Sequence, residues 1–178
     1  EIRPERRAEL AQRVAEGRLV LGPWYVMPDE FLVSGESLVR NLRLGRQVAR
    51  SFGGRPSNAG FVCDIFGHNS QLPQILAGFG IRMAFLWRGT NPLGVRHFIW
   101  RGADGTEMPA YRFGNFAYCD YAGYVRHAFD PDYEFDQAGM RRDLQAFLAQ
   151  EACHTEVAPV LLFDGGDHQG WDREAYAV

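Results

Sequence analysis

The chain has 178 residues and a formal net charge of −3, and all 19 of its basic residues are arginine. Hydrophobic residues make up 46% and aromatic residues 13%, which is typical of a folded globular protein and excludes intrinsic disorder. The acidic balance argues against nucleic acid as the main partner, because phosphate binding needs a basic face. We expect one domain over residues 1–178, and the start at Glu1 rather than Met favours a fragment of a longer protein.

Neither the apolar runs nor the cysteines indicate a membrane or an oxidising environment. No apolar run reaches the roughly 18 residues that a membrane span requires, and no signal peptide pattern is visible. Cys63, Cys119 and Cys153 are widely spaced and form no CxxC pair, so they indicate neither a disulfide framework nor a zinc knuckle. We therefore expect no membrane partner and a cytoplasmic location.

The first half of the chain alternates predicted helices and strands. Apolar spacing, hydroxyl caps and glycine stops predict, in order, a helix over 3–16, a strand over 18–22, a loop over 23–31, a helix from Ser34, a strand over 61–63 and a helix over 72–78. This rhythm is typical of βα units.

The second half continues with a predicted strand over 81–87, a hairpin turning at Asp104-Gly105, a helix over 136–150 and a strand over 159–163. The hairpin interrupts the alternation and is interpreted as an insertion at the mouth of the sheet. The pattern therefore predicts an α/β chain with parallel strands and an inserted β-hairpin.

Carboxylates follow two of the predicted strands. Asp64 ends the strand over 61–63, while Asp164 and Asp167 follow the strand over 159–163. Parallel strands of one barrel present their carboxyl ends on one face, so Asp64 and Asp167 could converge there. Two facing carboxyl groups suit glycoside hydrolysis. An aspartate at a strand end is also a common helix cap or turn former, and the pattern alone leaves both interpretations open.

A longer motif surrounds Asp64 and reads Asp-Ile-Phe-Gly-His-Asn-Ser-Gln-Leu-Pro over residues 64–73. It resembles the nucleophile segment of the glycoside hydrolase family 38 α-mannosidases. The segments over 24–30, 34–42 and 85–88, and the hairpin with Trp100, are similar to that family in the same order. The resemblance covers most of residues 5–170 and implies part of a (β/α) barrel of the seven-stranded type, from the catalytic domain of a retaining enzyme that acts on α-mannosides.

The resemblance also implies roles for individual residues. Asp64 matches the family's nucleophile, which is also a zinc ligand, and Asp167 aligns with the acid/base, with Asp164 as the competing choice. Arg88 matches an arginine near the nucleophile that could hold the charge and geometry of the carboxylate. The alternative for Arg88 is a surface salt bridge.

Trp24 and Asp29 are candidates for the substrate cleft, because sugars stack on aromatic rings; the alternative for Trp24 is a place in the core. His68 is interpreted as holding its loop rather than binding metal.

The family's remaining zinc ligands, a His-x-Asp pair and a distant histidine, are not in place in this chain. We therefore expect weak zinc binding and no turnover from the chain alone. The other interpretation is a non-catalytic carbohydrate-binding remnant. An exposed strand edge at 18–22 would also favour a homo-oligomer.

Overall fold

The computed structural model of the chain describes residues 3–90, 93–158, 160–170 and 172–177. These residues belong to two compact units. The first comprises Glu1–Gly89 with Phe98–Tyr111, and the second comprises Thr90–His97 with Arg112–Val178. Within the described ranges, every helix is too short or too polar to span a bilayer. The expectation of a single domain over residues 1–178 stays a prediction.

Three α-helices of the first unit follow the sequence pattern closely. They are α1 (Arg7–Ala15, after a 3₁₀ turn at Pro4–Arg6), α2 (Gly35–Ser51) and α3 (Leu72–Gly78). The Ser34 hydroxyl accepts a hydrogen bond from the backbone N–H of Ser37 and so caps α2. The predicted helices are confirmed; α2 has a side-chain N-cap, whereas α1 and α3 begin without one.

A four-stranded open sheet forms from β1 (Ala59–Val62), β2 (Met83–Leu86), β3 (His97–Arg101) and β4 (Glu107–Arg112). Its strand order is β1-β2-β4-β3, and β1 pairs with β2 in parallel. The Asp104 carboxylate accepts hydrogen bonds from the backbone and hydroxyl of Thr106, and these bonds lower its pKa. The predicted hairpin is thus confirmed, and it continues the sheet beside β2.

The core of the first unit lies where the strands meet α2 and α3. Its fully or nearly buried side chains are Trp24, Leu38, Leu42, Val62, Ile65, Leu72, Leu76, Ile81, Ala84, Leu86, Met108 and Ala110. Leu38 and Leu42 lie one turn apart on α2, and Leu72 and Leu76 repeat that spacing on α3. Burial of these faces fixes the strand ends that carry the candidate site.

The second unit contains α4 (Asp120–Tyr124), α5 (Gln137–Ala152) and short 3₁₀ turns at Ala117–Cys119 and Ala175–Ala177. The Asp136 carboxylate caps α5 by accepting from the backbone N–H groups of Ala138 and Gly139. Its core includes Val125, Met140, Phe147 and Ala175. The predicted helix over 136–150 is therefore confirmed.

Two predicted strands are wrong. Residues 18–22 form no strand, because the backbone N–H groups of Arg18 and Leu19 turn back to bond the carbonyl of Arg13 and close the end of α1. Residues 160–163 form no strand either, and Pro159 lies outside the described residues. The Phe163 carbonyl accepts from Tyr121 N–H, and its ring packs edge-on against Phe113. The described residues of this run, 160–163, are only partly buried, and Leu162 is 44% exposed.

Candidate active site

The register of the two parallel strands brings Asp64 and Arg88 together. Val62 pairs with Leu86 at the carboxyl ends of β1 and β2, and Asp64 and Arg88 each follow two residues later. The sheet register therefore gives the two side chains equivalent positions beyond neighbouring strands. This edge is where α/β proteins bind ligands and carry out chemistry.

The Arg88 guanidinium contacts a single oxygen of Asp64. Nε and one terminal nitrogen of Arg88 donate to Asp64 Oδ1 at 3.0 and 2.6 Å. Cζ of the Arg88 guanidinium also lies 4.3 Å from the centre of the Trp87 ring and 5.1 Å from the centre of the Phe66 ring. Both charged side chains are 39% exposed. A carboxylate held by a rigid cation yet open to solvent can reach an incoming substrate.

The loop after Asp64 bends sharply at Gly67. Gly67 has a φ of +112°, and a Cβ added there would lie 3.0 Å from the Phe31 ring. Only glycine tolerates that backbone conformation without strain. The Gly-His step of the motif therefore reflects a backbone requirement of the loop that presents Asp64.

A buried carboxylate behind this loop was missed at the sequence level. The side chain of Glu30 is fully buried, and Oε1 lies 3.0 Å from Nδ1 of His68. Oε2 accepts from the backbone and side-chain nitrogens of Asn69 at 2.7 and 2.9 Å. His68 thus holds its loop. Acidic residues are rarely buried unless they are paired, and no local pattern distinguishes Glu30 from its exposed neighbours.

The two substrate-cleft candidates lie in the segment before α2. Trp24 is a buried core residue, and its indole N–H donates to the Phe61 carbonyl at 3.1 Å. This placement favours the core alternative. Asp29 is partly exposed and its carboxylate accepts from Phe31 N–H at 3.4 Å, as a turn residue does. A direct substrate contact by either residue stays a prediction.

Asn41 on α2 holds the same segment in place. Its Oδ1 accepts from the backbone N–H groups of Tyr25 and Val26, and its Nδ2 donates to the Val26 carbonyl. This role could not be predicted from the sequence, because an asparagine in the middle of a helix carries no signal of a partner 15 residues away.

The two candidates for the acid/base, Asp164 and Asp167, lie in the second unit and have different hydrogen-bond partners. Asp164 accepts two hydrogen bonds on Oδ1 from the buried Arg126 side chain, and the Tyr176 hydroxyl donates to its other oxygen. Asp167 is exposed, and Oδ1 accepts from the Tyr118 hydroxyl at 3.1 Å. Asp164 is engaged in a structural ion pair, which favours Asp167. The pairing of Asp167 with Asp64 stays a prediction.

A second buried network, also missed at the sequence level, ties this unit together. Arg96 donates to both carboxylate oxygens of Glu151, at 2.8 and 2.5 Å, and both residues are buried. The buried Asp120 carboxylate accepts from the backbone N–H groups of Gly114 and Phe116. Burial raises the pKa of Asp120, although the Phe116 N–H and the Arg96 charge act in the opposite direction.

The described donors do not by themselves fit a zinc site. Among residues 3–90, 93–158, 160–170 and 172–177, no group of three or more His, Cys, Asp or Glu side chains could hold a metal ion. Catalytic zinc sites use three protein ligands, whereas Asp64 accepts hydrogen bonds from the cation Arg88. The zinc expected from the resemblance therefore stays a prediction.

Comparison with known proteins identifies the family of the chain. The chain matches the glycosyl hydrolases family 38 N-terminal domain over residues 1–176. A Halalkalibacterium halodurans protein, provisionally named a mannosylglycerate hydrolase, is 41% identical over 120 residues, which are 60% of this chain and 13% of the relative. Alpha-mannosidase 2C1 of Homo sapiens is 34% identical over 91 residues, which are 49% of this chain and 9% of the relative.

A solved structure extends the similarity to the fold. The crystal structure of an alpha-mannosidase from Enterococcus faecalis V583 matches with a TM-score of 0.82 and 26% identity, over 98% of this chain and 19% of that chain. The chain thus spans only a small share of the length of these proteins. It nevertheless matches the family model almost from end to end, and so it belongs to glycosyl hydrolase family 38, through the N-terminal domain of that family.

Proposed function

We propose that this chain carries the nucleophile of a glycosidase that hydrolyses α-mannosides with retention of configuration, and that Asp64 is that nucleophile. The observation that carries the proposal is the pair formed by Asp64 and Arg88 beyond the aligned ends of β1 and β2. The two Arg88 donors restrict the rotation of the Asp64 side chain. Membership of the family and the names of the mannosidase relatives support the substrate class.

The proposed reaction has two balanced steps. First, a carboxylate oxygen of Asp64 bonds to the anomeric carbon while the glycosidic oxygen leaves and takes a proton from a second carboxyl group, for which we propose Asp167. In the second step, the Asp167 carboxylate takes a proton from water, the water oxygen bonds to the anomeric carbon, and the bond to Asp64 breaks. Two displacements return the original configuration.

Metal dependence is a separate part of the proposal. Bound zinc would orient sugar hydroxyls and stabilise negative charge, with Asp64 as the one ligand that this chain is expected to contribute. The donors in the described residues do not complete such a site, so we assign no step to the metal.

A second substrate is favoured by one observation. The Halalkalibacterium halodurans relative shares 41% identity with this chain, compared with 34% for the human mannosidase. A mannoside of glycerate is therefore a second candidate. Initial rates on mannosylglycerate and on an aryl α-mannoside, measured with the full-length protein, distinguish the two.

The nucleophile assignment is tested by Asp64→Asn in the full-length protein. We expect turnover of the preferred α-mannoside to fall by about a thousandfold or more, because the amide cannot form the glycosyl ester. NMR of the first-formed sugar from the wild type should show the α-anomer. Asp132→Asn, an exposed carboxylate in the second unit, is the control and should keep wild-type rates.

Three results would count against the proposal. Wild-type turnover by Asp64→Asn would refute the nucleophile, and a β-anomer as the first product would refute retention. Sugar binding without turnover by the wild-type protein would favour the non-catalytic alternative.

A further inference from the structure

We propose that Glu30 is a positioning residue for Asp64, which it holds in place through His68 and Asn69. This inference rests on the proposed function, since it assigns a role in presenting the nucleophile. Glu30 lies 34 positions before Asp64, and it contacts the loop that follows Asp64 rather than Asp64 itself.

Burial makes the contact energetically significant. The Glu30 side chain has 0% exposure and the His68 side chain 7%. A carboxylate removed from water is costly unless hydrogen bonds replace its hydration. Three donors replace it here, one from His68 and two from Asn69. Loss of Glu30 would leave these partly buried donors without an acceptor, and the loop would have to move to bring them to water.

The other nitrogen of His68 shows what this arrangement costs. Among the described residues, Nε2 of His68 is buried and has no hydrogen-bond partner, and the ring meets the Trp100 ring edge-on at 5.7 Å. A neutral ring with its proton on Nδ1 donates to Glu30 and leaves only a lone pair unpaired on Nε2. Two apolar side chains in place of Glu30 and His68 would leave no buried polar atom without a hydrogen-bond partner at this position. Such local conflicts are expected at functional sites.

The loop between Asp64 and Asn69 is held at both ends. Arg88 binds the Asp64 carboxylate at the start of the loop, and Glu30 binds His68 and Asn69 at its end. Between them, Gly67 lies against the ring of Phe31, the residue after Glu30. Release of the Glu30 end would allow Asp64 to shift, and a displacement near 1 Å can reduce a rate by about a hundredfold.

The test uses Glu30→Gln and Glu30→Ala in the full-length protein. Glutamine keeps the size and one acceptor, whereas alanine removes all three bonds. We expect kcat on the α-mannoside substrate to fall by about tenfold for Gln and by about a hundredfold for Ala, with KM changed by less than about threefold. Hydrogen exchange of peptides covering 64–71 should become faster in the same order. Glu36→Gln, which breaks an exposed pair with Arg40 on α2, is the matched control.

Each outcome has a defined meaning. A folded Glu30→Gln protein with wild-type kcat, or with unchanged exchange at 64–71, overturns the positioning role. Faster exchange throughout the first unit with a loss of activity in proportion to the unfolded fraction also overturns it. If the wild type hydrolyses no α-mannoside, the proposed function fails, and hydrogen exchange alone tests the role of Glu30. Faster exchange confined to residues 64–71 in the Glu30 variants then supports a positioning role, and unchanged exchange there refutes it.

Discussion

At the scale of single residues, charge pairs of the same type differ by their environment. The Asp64 and Arg88 side chains are each 39% exposed, so the pair contributes little to stability, and the role that we propose for it is to orient the carboxylate. The Arg96–Glu151 pair is buried, and removal of one partner there would leave an uncompensated charge, which typically costs about 3–5 kcal/mol. The exposed pair is therefore available for chemistry, while the buried pair serves the fold.

Asp120 gives the folded protein a predicted dependence on pH. Burial raises its pKa above the ordinary value of 3.8, so the folded state holds the proton more tightly than the unfolded state. The stabilisation is complete below about pH 4 and is lost as the pH rises through the raised pKa. The free energy of unfolding of the wild type, relative to Asp120→Asn, should therefore decrease over that range in urea titrations.

The control for Asp120 has the opposite sign. Hydrogen bonds from Thr106 lower the pKa of Asp104. Its contribution to the free energy of unfolding is therefore present when the pH is above the ordinary pKa of 3.8, and it is lost as the pH falls through the lowered pKa. The stability difference between wild type and Asp104→Asn should therefore grow with pH. A difference for Asp120 that also grows with pH would contradict the assigned direction.

At the scale of elements, α2 approaches the backbone of the preceding segment very closely. A Cβ on Gly45 would lie 2.2 Å from the carbonyl carbon of Trp24 and 2.4 Å from the carbonyl oxygen of Pro23. Backbone atoms cannot move aside as a flexible side chain can. This contact, together with the three hydrogen bonds of Asn41, holds the segment that leads to Glu30.

Gly45→Ala should therefore destabilise the protein. We expect a loss of about 1–3 kcal/mol in the free energy of unfolding, as is typical of overpacking, measured by urea unfolding. Gly78→Ala on α3 is the matched control, because no heavy atom lies within 4 Å of its added Cβ, and it should be neutral or stabilising by up to about 1 kcal/mol. Equal stabilities of the two variants would contradict the close approach.

At the scale of the whole molecule, the segment before α2 exposes many apolar side chains. Tyr25, Val26, Met27, Phe31, Leu32 and Val33 are all exposed, and Leu32 is 83% exposed. Neighbouring apolar side chains in water favour association. The homo-oligomer expected from the sequence stays a prediction, and these side chains, rather than a strand edge at 18–22, are its physical basis.

Leu32→Glu tests this basis for association. We expect the 178-residue chain to form larger species in sedimentation velocity as its concentration rises. Leu32→Glu should shift this distribution towards the monomer, because a charge buried at the contact between copies would be costly. Gln74→Glu adds the same charge at an exposed position on α3 and should not change the distribution. A monomeric wild type at all concentrations would exclude this mode of association.

Local patterns predicted most of the elements and half of the candidate site. Ser34 and Asp136 cap helices that begin where the caps predict, because capping depends on residues within one turn. Asp64 and Arg88 were found because each follows an apolar strand and forms part of a family motif. The strands predicted over 18–22 and 159–163 are wrong because a short apolar run does not specify a hydrogen-bonding partner, and the described residues of both runs are partly buried or exposed.

The sequence by itself determined the helices, the hairpin, the turn glycines and the motif around Asp64, since these follow from interactions between near neighbours. Only the tertiary structure decided the contacts of Glu30 with His68, 38 residues away, and of Arg96 with Glu151, 55 residues away. Burial of such charged groups depends on which distant segments pack together. For that reason the residues that we propose to react could be recognised from the chain, whereas those that we propose to hold them in place require the fold.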